Sequence, residues 1–146
     1  MAENKVEQQA GLSKFAATDI FRDLYVAEQA LENFPSTENV ANYCRSLAIY
    51  TLANQLALNN PSDHLQNLTL YRDKIKADQR LMDTIALVAD TTAQAWEMNK
   101  SSPDQARSKM DLAEGELATF GAVISPTART MIMRQFRDIA GVSDGS

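Results

Sequence analysis

The sequence predicts an all-α protein of about five helices arranged around one long central helix, and three observations carry that prediction. Only 5 glycines and 4 prolines punctuate 146 residues, which favours long helices over turn-rich β structure. Between residues 68 and 96, the side chains Leu68, Tyr71, Ile75, Asp78, Met82, Ile85, Ala89, Thr92 and Trp96 succeed one another at spacings of three and four. That is the seam of a helix packed along its whole length. The periodicity stops at Phe34-Pro35-Ser36, Asn59-Asn60-Pro61, Ser101-Ser102-Pro103 and Ser125-Pro126, each a helix stop or a cap.

Length and composition set the frame. A chain of 146 residues, 45% hydrophobic and 23% charged, is long enough to bury one core without a metal or a disulfide. The expected division is a mobile tail over residues 1–12, a helical domain over 13–140 and a loose tail over 141–146. Neither the N-terminal MAENKVEQQAG nor any other run has the apolar length of a signal peptide or of the ~18 residues of a membrane span, so a cytoplasmic protein is expected.

Ser13 is placed to cap a first helix reaching to Asn33, with Phe21, Leu24, Tyr25 and Leu31 on its apolar face. Asp19, Asp23, Glu28 and Glu32 make the other face acidic, suited to solvent or a basic partner. Proline after Phe34 ends this helix, and Ser36 or Thr37 caps a second over residues 38–58. Its Val40, Tyr43, Cys44, Leu47, Tyr50 and Thr51 form one apolar face, and Ile49, Leu52 and Leu56 widen the arc, which implies more than one neighbour.

After Asn59-Asn60-Pro61, Ser62 or Asp63 caps the third helix. So short a connection makes helices two and three an antiparallel hairpin. If continuous over residues 62–99, the third helix is roughly 55 Å long at 1.5 Å per residue, longer than its neighbours. Part of its seam would then require a second copy of the chain, so Leu68, Tyr71, Ile75, Met82, Ile85 and Trp96 are the expected oligomer interface. Asp78 interrupts the seam and is expected to meet an Arg or Lys from another helix or subunit. A fourth helix begins at Ser102-Pro103-Asp104-Gln105 as a capping box and buries Ala106, Met110, Ala113, Leu117 and Phe120. Gly121 is placed to close it, and Gly115 either weakens its middle or admits a close neighbour. The last helix runs from Ser125-Pro126 to Ala140 over Ile132, Phe136 and Ile139.

Catalytic chemistry finds little footing. His64 is the one histidine and Cys44 the one cysteine, twenty residues apart, with Cys44 in an apolar stripe. The sequence holds neither a glycine-rich phosphate loop nor metal-ligand spacing, so the expectation is a non-catalytic protein with no cofactor, no metal site and no small-molecule substrate. Net charge is −5, which argues against indiscriminate nucleic-acid binding but leaves room for a local basic patch. Two arginine-bearing stripes qualify as phosphate contacts. Arg72, Lys76 and Arg80 lie at i, i+4 and i+8 beside the seam, interleaved with Asp73, Asp78 and Asp83 that can screen them. Arg129, Arg134 and Arg137 lie on the last helix with fewer acidic neighbours.

Two segments resemble a known family. Asn39-Val-Ala-Asn-Tyr43-Cys44-Arg-Ser-Leu-Ala-Ile-Tyr50, in a helix that ends at Asn-Asn-Pro, is similar to the Tyr-Cys helix of phage small terminase subunits. Glu116-Leu-Ala-Thr-Phe-Gly121-Ala-Val-Ile-Ser125-Pro126-Thr-Ala-Arg129 looks like that family's closing motif, a helix ending in glycine followed by Ser/Thr-Pro-x-x-Arg. The resemblance implies a ring-forming, non-catalytic component of a viral DNA-packaging motor, acting in the cytoplasm of a bacterial host. Such a protein recognises double-stranded viral DNA and recruits the large terminase ATPase-nuclease. The other expectation is an oligomeric helical adaptor, chaperone-like protein or antagonist with no nucleic-acid role.

Overall fold

Every regular element among the described residues is a helix. The computed structural model describes residues 20–58, 64–120 and 124–142. Within them, six helices follow in order: α1 (Ile20–Asn33), α2 (Thr37–Ala57), α3 (His64–Ala77), α4 (Gln79–Met98), α5 (Pro103–Ala118) and α6 (Pro126–Ala140). None is long and apolar enough to cross a membrane. The expected Ser13, Ser62, Asp63 and Gly121 helix ends, and the 1–12 tail, lie outside the described residues.

The central pair is α2 with α4. Helix α2 touches α1, α3, α4 and α6, and α4 touches α2, α3, α5 and α6. The broad apolar arc read from the sequence of α2 has this cause: Val40, Cys44, Leu47, Ala48, Leu52 and Ala53 leave it at different angles and all are buried. Phe136, Ile132 and Met133 of α6 and Met110 and Leu117 of α5 complete the core.

The long third helix of the sequence reading is two helices, of 14 and 20 residues, parted at Asp78. Neither proline nor glycine breaks it. Asp78 leaves the helical region (φ −88°, ψ 98°), and its side chain accepts the Leu81 N–H at 3.1 Å, an N-cap for α4. Asp78 is exposed, so the expected cationic partner is replaced by a backbone N–H.

Past the break the predicted seam is kept except at its first position. Ile85, Ala89 and Thr92 of the predicted seam are buried in α4, and Leu81, Val88 and Ala95 widen it, while Met82 turns partly outward. Leu68, Ile75 and Ile85 are buried and Tyr71, Met82 and Trp96 pack against the same core, within a single chain. Half of the stripe that called for a second copy is thus buried by the chain's own helices, and Tyr71, Met82 and Trp96 stay partly exposed.

Helix ends follow sequence with one exception. Ser36 accepts the Asn39 N–H and Ser125 the Ala128 N–H, both at 3.1 Å. Ser102 precedes Pro103 as expected but makes no side-chain cap bond, so the capping box with Gln105 is not formed. The C-terminal expectation also changes. Gly141 takes a left-handed conformation (φ 83°), and the N–H groups of Gly141 and Val142 bond back to Asp138 and Arg137 at 3.2 and 2.9 Å. This is a Schellman closure, and Val142 is buried, so both residues belong to the fold and not to a loose tail.

The two glycines give opposite expectations. At Gly115 a Cβ would meet nothing within 4 Å, so Gly115→Ala is expected to raise stability by about 0.5–1 kcal/mol. At Gly141 a Cβ would come 2.7 Å from Asn99 Nδ2, and the positive φ by itself disfavours a side chain. Gly141→Ala is expected to lower stability by about 1–2 kcal/mol, both changes being read from urea midpoints.

Candidate functional site

A concavity lined by four basic side chains lies where α1, α2, α3 and the start of α4 meet. Each of these helices supplies it for a local reason. Helix α1 closes one side, and none of its residues 21–33 is fully buried. It is held by a Phe21–Tyr50 ring contact (5.4 Å between centroids), and Glu28 lies close enough to act on the Tyr43 hydroxyl. Asn39 holds its end, donating from Nδ2 to the Phe34 and Ala30 carbonyls at 2.8 and 3.2 Å. Burial, then repulsion by Glu28, raises the Tyr43 hydroxyl above its ordinary value.

The cleft so formed has a volume of about 470 Å³. Among the described residues, Arg22 and Asp23 face it from α1, Arg45 from α2, and Arg72 and Lys76 from α3, with Asp73 paired to Arg72. Asn39, Asn42 and Ser46 add neutral polar groups, and Val26, Ala27, Ala30, Ile49 and Met82 make up the apolar wall. Three of the cations are held in place. Arg72, only 9% exposed, directs Nε and Nη2 to Asp73 Oδ1 at 2.9 and 2.8 Å. Arg45 donates to Asn42 Oδ1, one turn back on the same helix. Lys76 lies 3.6 Å from Asp23 across the mouth, an exposed pair that solvent and salt screen.

The structure divides the sequence-predicted phosphate contacts. Arg72 and Lys76 reach the cleft, but the break at Asp78 sends Arg80 elsewhere, with its guanidinium 5.5 Å from the centre of the Phe120 ring. A continuous helix would have kept the three in line. On α6, Arg137 is not a surface contact: it is 8% exposed and bonds to Asp111 at 3.1 Å and Glu114 at 2.8 Å on α5. The physical reason is that α5 presents two carboxylates one turn apart to the last turn of α6. Arg129 is half-buried and Arg134 exposed, both away from the cleft lining.

Arg137 therefore clamps α6 to α5. Both carboxylates stay solvated when it is removed, so Arg137→Ala is expected to lower stability by about 1–3 kcal/mol, mostly through lost contacts of its buried stem. Chemical denaturation of this variant beside Arg134→Ala, expected within about 0.5 kcal/mol of the parent, checks it.

Arg22 and Arg45 had not been singled out from sequence. Each is the lone basic residue of its helix, and a solitary cation in an otherwise apolar or acidic helix is the signal that would have found them. Cys44 is fully buried and its thiol is pushed far above the usual range by that burial, so it is no nucleophile in the folded chain. Among the described residues no three His, Cys, Asp or Glu side chains converge as metal ligands.

No family model matches the chain, and searches of curated proteins and of solved structures return no match.

Proposed function

We propose that this chain is a non-catalytic helical adaptor that holds nucleic-acid phosphate, on the pattern of a phage small terminase subunit. On this reading it acts in several copies, recognises double-stranded viral DNA and recruits the large ATPase-nuclease. The observation that carries it is the convergence of Arg22, Arg45, Arg72 and Lys76 on one cleft of a protein whose net charge is −5. Among the described residues Arg45 bonds only to a neutral amide, and the Lys76 contact with Asp23 is long and exposed, so an anionic partner can compete for both. The Tyr-Cys helix and the Gly…Ser-Pro-x-x-Arg segment add the family resemblance.

A second reading is a helical interaction module without nucleic acid. It is favoured by Tyr25, Val26 and Phe34, which stand 57%, 58% and 72% exposed on and just after α1. Apolar side chains this exposed suit a protein partner.

Binding to a fluorescent DNA duplex, measured between 50 and 200 mM salt, separates the two. Engagement of about three phosphates gives a slope of log affinity on log salt near −3, because each neutralised phosphate releases counterion. A flat response, or no binding, removes the DNA reading and leaves the interaction module. Light scattering of the same sample is expected to give a mass of several chains under the first reading, and a monomer counts against ring assembly.

A further inference from the structure

We infer that Asp78 is the hinge of an exchange between two copies of this chain, in which α3 and α4 join into one helix and the α4–α6 half of each copy docks on α2 of the other. Nucleic-acid binding is not required for it.

The helices fall into two groups that part at this one residue. Helices α1, α2 and α3 touch one another, and so do α4, α5 and α6. Across the divide, α4 and α6 pack on α2, and α4 on α3. Halves that are contiguous in sequence and joined by a single residue can trade places between copies, because the exchanged interface repeats the contacts of the original.

The chemistry of the hinge favours the straight form. Residues 76–80 are all exposed, so a change of angle there disturbs no core side chain. Lys76, Ala77, Gln79 and Arg80 are good helix formers, and neither proline nor glycine occurs between residues 62 and 102. What parts the helices is the Asp78 side chain, capping the Leu81 N–H at 3.1 Å. In a continuous helix the N–H groups of Gln79, Arg80 and Leu81 reach the carbonyls of Ile75, Lys76 and Ala77, so straightening forms three backbone bonds in exchange for one cap.

Packing then calls for the second copy. Leu68 and Ile75 before the hinge and Ile85, Ala89 and Thr92 after it keep one phase of threes and fours, so a straight helix carries them as one apolar stripe. That helix, over residues 64–98, is roughly 52 Å long against about 32 Å for α2, which therefore cannot cover both parts of it. Within one chain the halves meet at an effective concentration in the millimolar range, which favours the closed monomer in dilute solution.

The test is light scattering of the full chain on a sizing column, after brief warming through the unfolding transition at high concentration and cooling. The parent is expected to give a monomer and a separable species of two chains. Asp78→Ala is expected to raise the association constant about a hundredfold, about tenfold for each of the two hinges, the effect of one lost N-cap. Gln79→Pro is expected to keep the chain monomeric and to reverse Asp78→Ala. Proline suits the first position of α4 and requires extended backbone at residue 78, which Asp78 already has (ψ 98°), but it cannot sit within a straight helix. Gln55→Cys with Met131→Cys reports which chain is docked, since these side chains of α2 and α6 meet at 3.2 Å. A short bismaleimide added after cooling is expected to join two chains in the dimer and to bridge one chain to itself in the monomer.

A folded Asp78→Ala chain that stays monomeric, a dimer that Gln79→Pro leaves unchanged, or a dimer bridged within each chain overturns the inference. If Asp78→Ala does not fold, the warmed parent decides: a two-chain species lost in Gln79→Pro upholds the exchange, and its absence from the parent overturns it. Larger assemblies bridged within each chain uphold ring assembly and overturn the exchange. An exchanged dimer without salt-sensitive duplex binding upholds the exchange and removes the packaging reading.

Discussion

Phe136→Ala is expected to lower the unfolding free energy by about 3–5 kcal/mol. Phe136 is 1% exposed and, among the residues with almost no exposed surface, the largest by volume. It lies on α6, which packs on α2, α4 and α5, so truncation removes aromatic surface from several neighbours at once. Helix α6 is fixed at its ends by the Ser125 cap and the Gly141 closure and tied to α5 by Arg137, so it cannot collapse freely into the space. Domains of this size unfold with about 5–15 kcal/mol, so the variant leaves a marginal protein. Urea unfolding followed by circular dichroism checks the value, with an unchanged denaturant slope and a smaller loss for the half-buried Ile139→Ala.

Alkaline pH should act through Cys44. Burial raises its thiol in the folded chain far above the ordinary 9.0, so the unfolded chain loses the proton first. The contribution is therefore fully present below 9.0 and declines as pH rises toward the folded value, by about 1.4 kcal/mol per pH unit in that window. Tyr43, raised above its ordinary 10.0 by burial and by Glu28, adds a second decline beginning higher. Cys44→Ala starts less stable because a buried sulfur is lost, but its stability should fall less steeply between pH 9 and 10. Urea midpoints across that interval check the slope, and equal slopes for parent and variant would count against the assignment. The same burial predicts that a thiol reagent at pH 8 modifies Cys44 only at the rate of unfolding.

How much of this was legible in advance depends on whether the signal was local. Caps at Ser36 and Ser125, the helix start at Pro103, and the apolar stripes of α5 and α6 are local, and the structure repeats them. Asp78 shows where local reading stops. Its seam position reads as a flaw in one long helix, whereas an aspartate has two ways to satisfy backbone and charge, and which is used depends on where α2 lies. Once the chain bends there, Leu81 replaces Met82 in the core and Met82 turns to the cleft wall. The arginines behave likewise. Arg72 and Arg137 read as surface cations, but neighbouring carboxylates and helix packing bury most of each.

By itself, the sequence of this protein determined an all-helical chain, the ends of most helices, the apolar membership of its core and the improbability of a reactive cysteine. Tertiary structure decided that the spine is two helices, that Leu68, Ile75 and Ile85 of the seam are buried within one chain, and that four cations line one cleft. The division has a physical cause. Periodicity and capping act over one or two turns, within reach of neighbouring residues in the chain. The pairing of Arg137 with Asp111 and Glu114, and the meeting of Arg22 and Arg45 with Arg72, depend on which helices touch, and contacts between distant segments leave no local trace.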